Sequence, residues 1–168
     1  SVVFASYGLA LGSIPVIITN TAVAALNIWY LRAEFGSHRD LGAVPIEADA
    51  PFLQDFLRSH AADIAQFHPG FTAPAADDLV LLLTRNGLPA GAFVGRRDGD
   101  TLHLQLDYVM GAYRDSRIGT WLYRHGTKAF TDAGAARIVA EHPSADVRSY
   151  LMRVGFTPSG DDLVLALG

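Results

Sequence analysis

Cysteine is absent from the 168 residues, which excludes a disulfide framework, a thiolate-ligated metal and a cysteine nucleophile. The absence fits a reducing compartment. Charge is scarce as well, at 18% of residues, and residues 1–30 hold no Lys, Arg, Asp or Glu at all. Every charge falls between Arg32 and Asp162. A basic face is missing too: 13 Lys and Arg against 17 Asp and Glu leave a net charge of −4, which argues against a nucleic-acid partner. The histidines show no ligand spacing. His60 and His68 would lie about 12 Å apart along one helix, and His103 and His125 stand alone, so no metal site is expected.

What is present is apolar: half of the chain, enough for a buried core in a single domain with an appendage. The uncharged stretch "SVVFASYGLALGSIPVIITNTAVAALNIWYLR" is longer than one span requires, since about 20 apolar residues cross a bilayer core. Residues 12–15, "GSIP", divide it, with Pro15 suited to a first helical turn. We read Val2–Leu11 as a short apolar helix and Pro15–Leu31 as a membrane span. Trp29 and Tyr30 would form an aromatic belt, and Arg32 and Arg39 would lie on the cytoplasmic side. A buried core helix or an oligomer interface is the alternative. Asn20 and Asn27 read as helix–helix glue rather than a transport path. The stretch resembles the closing part of a family of small polytopic bacterial inner-membrane proteins, which implies an inner-membrane location with the rest of the chain in the cytoplasm. Further membrane helices before Ser1 stay open, as the chain does not start with Met.

Residues 33–42 read as a linker, and residues 43–168 as one domain. "AVPIEA" (43–48) is a short strand. "DAPFLQDFLRSHAADIAQF" makes one or two helices, capped by Asp49 with Pro51 in the first turn and closed by His68-Pro69-Gly70. A β-meander follows over 78–85, 89–97 and 101–110, joined by Asn86-Gly87 and Asp98-Gly99. In its last strand strict alternation puts Leu102, Leu104, Leu106 and Tyr108 on one face and His103, Gln105, Asp107 and Val109 on the other. The period then changes. A helix is expected over Arg117–Ala133, a strand over 136–142, a helix over Ala145–Val154 ended by Gly155, and a strand over 161–167.

The stretch "GAYRDSRIGTWLYRHG" (111–126) carries the sharpest chemical signal. Asp115 or Ser116 would cap a helix whose first amides are free donors, an arrangement suited to an anion. Gly119 costs about 1 kcal/mol against alanine inside a helix, and it leaves room for close approach to the backbone. Arg114 and Arg117 add positive charge. An exposed helix start with two solvated arginines is the plain alternative.

Three stretches, "LPAGAFVGRRDGDTLHLQLDYV", "LDYVMGAYRDSRIGTWLY" and "ARIVAEHPSADVRSYLMRVGFTPSG", together with the order of elements, resemble the GNAT superfamily of acetyltransferases over roughly residues 43–167. The resemblance implies an α/β (α+β) fold with a mixed, mostly antiparallel twisted sheet and flanking helices. It also implies acetyl-CoA as co-substrate. The family's pyrophosphate-binding pattern, Q/R-x-x-G-x-G/A, places Arg114 first and Gly119 last, with Asp115, Ser116, Arg117, Ile118 and Thr120 around them. Arg117 stands where the family has its middle glycine. Ser144 stands where the family often has a capping Asn. Leu151 stands where many members carry the tyrosine that protonates the CoA thiolate. Tyr150 is one residue away, a rotation of about 100° on the helix, and both core burial and an acid role stay open for it.

Acyl transfer to an amine needs a polarised carbonyl, a proton acceptor and a proton for the leaving thiolate. The resemblance assigns the first to a backbone amide near Val109 and Met110. Asp107 and Glu141, near strand ends expected to flank the cleft, are candidate bases, and His142 follows because imidazole suits proton transfer near neutrality. A solvated strand-end charge is the alternative for each. Phe52, Phe56, Phe67 and Phe71 could line an acceptor pocket or simply form core. Three readings result: a membrane-tethered N-acetyltransferase acting on an unidentified amine, a GNAT-shaped module that binds CoA or a partner without chemistry, and a purely structural membrane-associated scaffold. Oligomerisation stays open.

Overall fold

The computed structural model describes residues 14–36 and 40–167. The chain divides into two compact units at residue 39.

The first unit contributes helix α1 (Ile14–Gly36). Thr19 Oγ1 donates to the Pro15 carbonyl over 2.9 Å, and Ile18, Leu26, Ile28, Trp29 and Tyr30 are exposed. The span expected over Pro15–Leu31 is not supported. Among the described residues no helix is long and apolar enough to cross a membrane. The helix also continues to Gly36, into the stretch expected as linker. The apolar helix expected over residues 2–11 and the Gly12-Ser13 break lie outside the described residues.

The second unit is a seven-stranded sheet in the order β1-β2-β3-β4-β5-β7-β6. Its strands are β1 (Leu41–Pro45), β2 (Leu79–Arg85), β3 (Leu88–Asp98), β4 (Thr101–Val109), β5 (Arg137–Ala140), β6 (Thr157–Ser159) and β7 (Asp162–Ala166). Among the described residues only β4 and β5 pair in parallel. The meander forms as its Asn-Gly and Asp-Gly turns require, with Asn86, Gly87 and Gly99 at positive φ.

Helices cover both faces. On one, α2 (Pro51–Ser59) and α3 (Ala61–Phe67) bury Leu53, Phe56, Leu57 and Ile64 against Val80, Ala92, Val94, Leu106 and Tyr108. His60 separates the two helices, and Ala50 rather than Asp49 occupies the cap position of α2. On the other face, α4 (Ile118–Arg124), α5 (Lys128–Thr131) and α6 (Ala145–Val154) pack Ile118, Leu122, Tyr123, Phe130, Leu151 and Val154 onto Leu81, Phe93 and Ile138. The single helix expected over 117–133 is thus two. Its chain breaks at His125–Thr127, where a β-carbon on Gly126 would fall 2.9 Å from the Leu122 carbonyl oxygen. On that backbone a side chain at position 126 has no room.

Strand β4 departs from strict alternation. Val94 pairs with Leu106 but Gly95 pairs with Leu104, so Gln105 is an extra residue in β4. Such a bulge reverses the side-chain phase beyond it. Leu102 and Leu104 therefore face α4–α6, while Leu106 and Tyr108 face α2–α3. The four residues expected on one face are split between two, and Asp107 and Val109 turn toward α4 and α6.

Candidate active site

Beyond the bulge, β4 and β5 separate. Their pairing covers only Thr101–His103 against Arg137–Val139, and a cleft of about 550 Å³ lies beyond it. The floor of the cleft comes from β4, one wall from the turn into α4 and from α6, and the other from the end of α3. That volume falls in the range of small-molecule pockets.

The backbone of β4 is presented to this cleft. Met110 N–H donates to the Ala90 carbonyl over 2.9 Å, and antiparallel pairing makes every second residue face its partner strand. Asp107 and Val109, the intervening residues, direct N–H and C=O away from β3. Two side chains reach those carbonyls: His68 Nε2 lies 3.1 Å from the Asp107 oxygen, and Arg114 Nε lies 3.3 Å from the Val109 oxygen. Val109 N–H is thus directed into the cleft. Met110, the other residue expected to polarise a carbonyl, is not, because its N–H is committed to β3.

Below the cleft lies a buried polar cluster. The Asp107 carboxyl receives Tyr123 Oη over 2.9 Å and Tyr150 Oη over 3.0 Å, both on Oδ2. Oδ1 is buried and has no hydrogen-bond partner among the described residues. Burial raises the Asp107 carboxyl above its ordinary range, against the opposing pull of the two tyrosine hydroxyls and of His68. Burial and the neighbouring Asp107 raise both tyrosines as well, so each holds its proton firmly. Tyr150 is on the apolar stripe of α6 and yet lines the cleft. Gly119 in the first turn of α4 gives its hydroxyl room. The enclosed Oδ1 is out of an acceptor's reach, so Asp107 stands behind Tyr150 and not against the acceptor.

A second cluster ties α3 to the mouth of the cleft. Arg114 Nη2 donates to both oxygens of Asp63, over 2.8 and 2.7 Å, and its guanidinium lies 4.8 Å from the centroid of Phe67. Tyr108 Oη donates to Asp63 Oδ2 over 2.7 Å. The Arg114 bond, followed by that of Tyr108, holds the Asp63 carboxyl below its ordinary range. Arg114, expected at a phosphate, is occupied by a carboxylate. Arg117 carries no such commitment and caps α4 in the left-handed conformation, φ 59°. A positive φ is why glycine suits this position. The first helical bond runs from Trp121 N–H to the Arg117 carbonyl. The amides of Ile118, Gly119 and Thr120 precede it, and these three residues line the cleft with Arg117.

The other sequence candidates lie elsewhere. Glu141 accepts from His103 Nδ1 at 2.7 Å and has Arg96 at 3.9 Å. His142 is exposed, at φ 42°, with its N–H on Asp162 Oδ1. Neither lines the cleft. Asp115 is exposed, Ser116 is buried with its hydroxyl on the Tyr113 carbonyl, and neither caps α4. Ser144 occupies the cap position of α6 but makes no side-chain cap bond. His68 is the residue that sequence reasoning missed. It ends α3, lines the cleft, and with Nε2 donating to a carbonyl its Nδ1 is left as an acceptor. Nothing local in "FHPG" marks it, because its partner is 39 residues away. Among the described residues no group of His, Asp and Glu could hold a metal ion.

No family profile matches this sequence, and no curated protein aligns with it. Solved structures do share its architecture. A probable acetyltransferase of the GNAT family from Chromobacterium violaceum is 13% identical with a TM-score of 0.59, over 76% of this chain and 83% of that one. N-acetylglutamate synthase from Neisseria gonorrhoeae, solved with coenzyme A and L-arginine, is 16% identical with a TM-score of 0.54. That match covers 74% of this chain and only 33% of the synthase. The ribosomal-protein-S18-alanine N-acetyltransferase from Escherichia coli is 17% identical with a TM-score of 0.51, over 76% and 95%. At such identities the likeness is one of architecture, and the second unit of this chain has the fold of the GNAT acetyltransferases.

Proposed function

We propose that the chain is an acetyl-CoA-dependent N-acetyltransferase. One observation carries the reading: within a GNAT fold, the cleft beyond the end of the β4–β5 pairing is lined by Val109, whose N–H is directed away from β3, and by Tyr150. The amide polarises the thioester carbonyl by donating to its oxygen as negative charge develops. His68 Nδ1 takes a proton from the attacking amine. Tyr150 supplies one to the departing thiolate. Arg117 and the amides of Ile118, Gly119 and Thr120 are the groups suited to the pyrophosphate.

Titration calorimetry of the full chain with acetyl-CoA, followed by thiol release across a panel of primary amines, tests this. Sub-millimolar binding with amine-dependent release is expected, and absence of binding overturns the reading. A module that binds CoA without chemistry is favoured by one feature, the commitment of the Tyr150 hydroxyl to Asp107. Binding with no release for any amine would select it. Attachment to the inner membrane through α1, with the second unit in the cytoplasm, is a separate proposal. Its support is the set of exposed apolar residues of that helix, and its test is the partition of the expressed chain between membrane and supernatant.

A further inference from the structure

The contacts of Asp107 are unevenly distributed. Two hydroxyls share Oδ2, and Oδ1 is buried with none. An ionised carboxylate offers about four acceptor sites, and leaving a charged oxygen buried without a donor costs more than leaving a neutral one. A protonated carboxyl suits the same positions better. Oδ1 becomes a carbonyl oxygen, while Oδ2 accepts from Tyr123 and donates its own proton to Tyr150. The hydroxyl hydrogen of Tyr150 is then released to turn into the cleft that Tyr150 lines.

We propose that Asp107 is kept as a neutral carboxylic acid and replaces, at Tyr150, the proton that the CoA thiolate removes. The second half rests on the acetyltransferase reading, and the first does not. As the S–H bond forms, the Tyr150 O–H bond breaks. The Asp107 O–H bond breaks in turn as that of Tyr150 is restored. The negative charge ends on Asp107, which regains its proton from solvent, and the proton lost by the amine balances the cycle. Tyr123 keeps its proton and donates to Oδ2 throughout. No buried phenolate persists beside a carboxylate, which matters because burial and Asp107 both oppose ionisation of Tyr150.

The groups facing the cluster are Tyr123 from α4, Tyr150 from α6, His68 from the end of α3, and Arg153 on α6. His68 favours an ionised Asp107 and Arg153 an ionised Tyr150, and in both cases burial outweighs them. Asp107 acts through Tyr150, so it is a positioning residue.

Infrared spectroscopy of the full chain at neutral pH decides the first half. Exposed aspartates are ionised there, so a carboxylic-acid carbonyl band that moves on labelling aspartate with ¹³C and vanishes in Asp107→Asn is expected. No labelled band in the native chain means an ionised Asp107 and overturns the proposal, with no variant needed. The second half predicts that Asp107→Asn lowers kcat about 10²-fold, with acetyl-CoA affinity within about twofold. Unchanged turnover in that variant overturns the relay. The band is read whether or not an amine is turned over, so failure here is distinct from failure of the acetyltransferase reading.

Discussion

A β-carbon added at Gly119 would collide with the hydroxyl oxygen of Tyr150 and lie 3.3 Å from its ring Cζ. Glycine in the first turn of α4 therefore admits a tyrosine from α6, and that hydroxyl in turn reaches Asp107. Gly119→Ala is expected to destabilise the native chain by about 1–3 kcal/mol through overpacking. In a Tyr150→Phe background, where the hydroxyl is gone, the penalty should shrink by at least about 1 kcal/mol, offset by the better helix propensity of alanine. Urea denaturation of the four members of the cycle measures it. Equal penalties in both backgrounds would mean that this contact is not what requires glycine.

Tyr150→Phe by itself should lower kcat about 10²-fold, the scale of a lost general acid. Acetyl-CoA affinity should stay near that of the native chain. A parallel loss of both would mark Tyr150 as a packing residue only.

His68→Gln keeps a side-chain amide able to donate to the Asp107 carbonyl but removes the basic nitrogen. Turnover of a primary amine should fall about 10²-fold with the thermal midpoint little changed. Steady-state kinetics beside differential scanning calorimetry separates this outcome from unfolding.

The Asp63–Arg114–Tyr108 cluster gives stability a defined pH dependence. Arg114 depresses the Asp63 carboxyl in the folded chain. A depressed carboxylate stabilises the fold above its unfolded pKa, and the contribution is lost as pH falls through the folded value. The Tm difference between the native chain and Asp63→Asn should therefore be constant near neutrality and shrink in acid, below the ordinary carboxylate range. A difference independent of pH would show that the Asp63 charge adds nothing. Both partners are partly exposed, at 34% and 42% of their side chains, so added salt should reduce the effect.

Arg117→Gly separates backbone from charge. A left-handed residue other than glycine costs roughly 1–2 kcal/mol, while glycine loosens the unfolded chain by about 0.4–1 kcal/mol. The variant should be as stable as the native chain or slightly more so, yet bind acetyl-CoA more weakly for want of the guanidinium. Calorimetry in both senses, thermal and titration, reads the two effects. Undiminished affinity would remove Arg117 from the phosphate site.

The meander and the helix ended by Gly155 were legible because each rests on neighbours in the chain: turn residues, an i, i+3, i+4 stripe, a glycine at positive φ. The turn at 114–120 was legible only in place, since Arg117 and not Asp115 or Ser116 holds its cap position. The bulge at Gln105 was not legible. Strict alternation through Leu106 and Tyr108 is equally good on paper, and the phase reversal appears only in the pairing with Val94 and Gly95. Glu141 and His142 were plausible as strand-end groups until His103 and Asp162 were found beside them.

The sequence by itself determined the meander, the helix over 145–154 and the final strand, since these follow from local pattern and backbone preference. The tertiary structure alone decided what each polar residue does. It bound Arg114 to Asp63, placed His68 over the Asp107 carbonyl, and set Tyr150 between Gly119 and Asp107. Those partners are 51, 39, 31 and 43 residues apart in the chain. Contacts at such separations depend on how strands register and helices dock, and no periodicity within one segment records them.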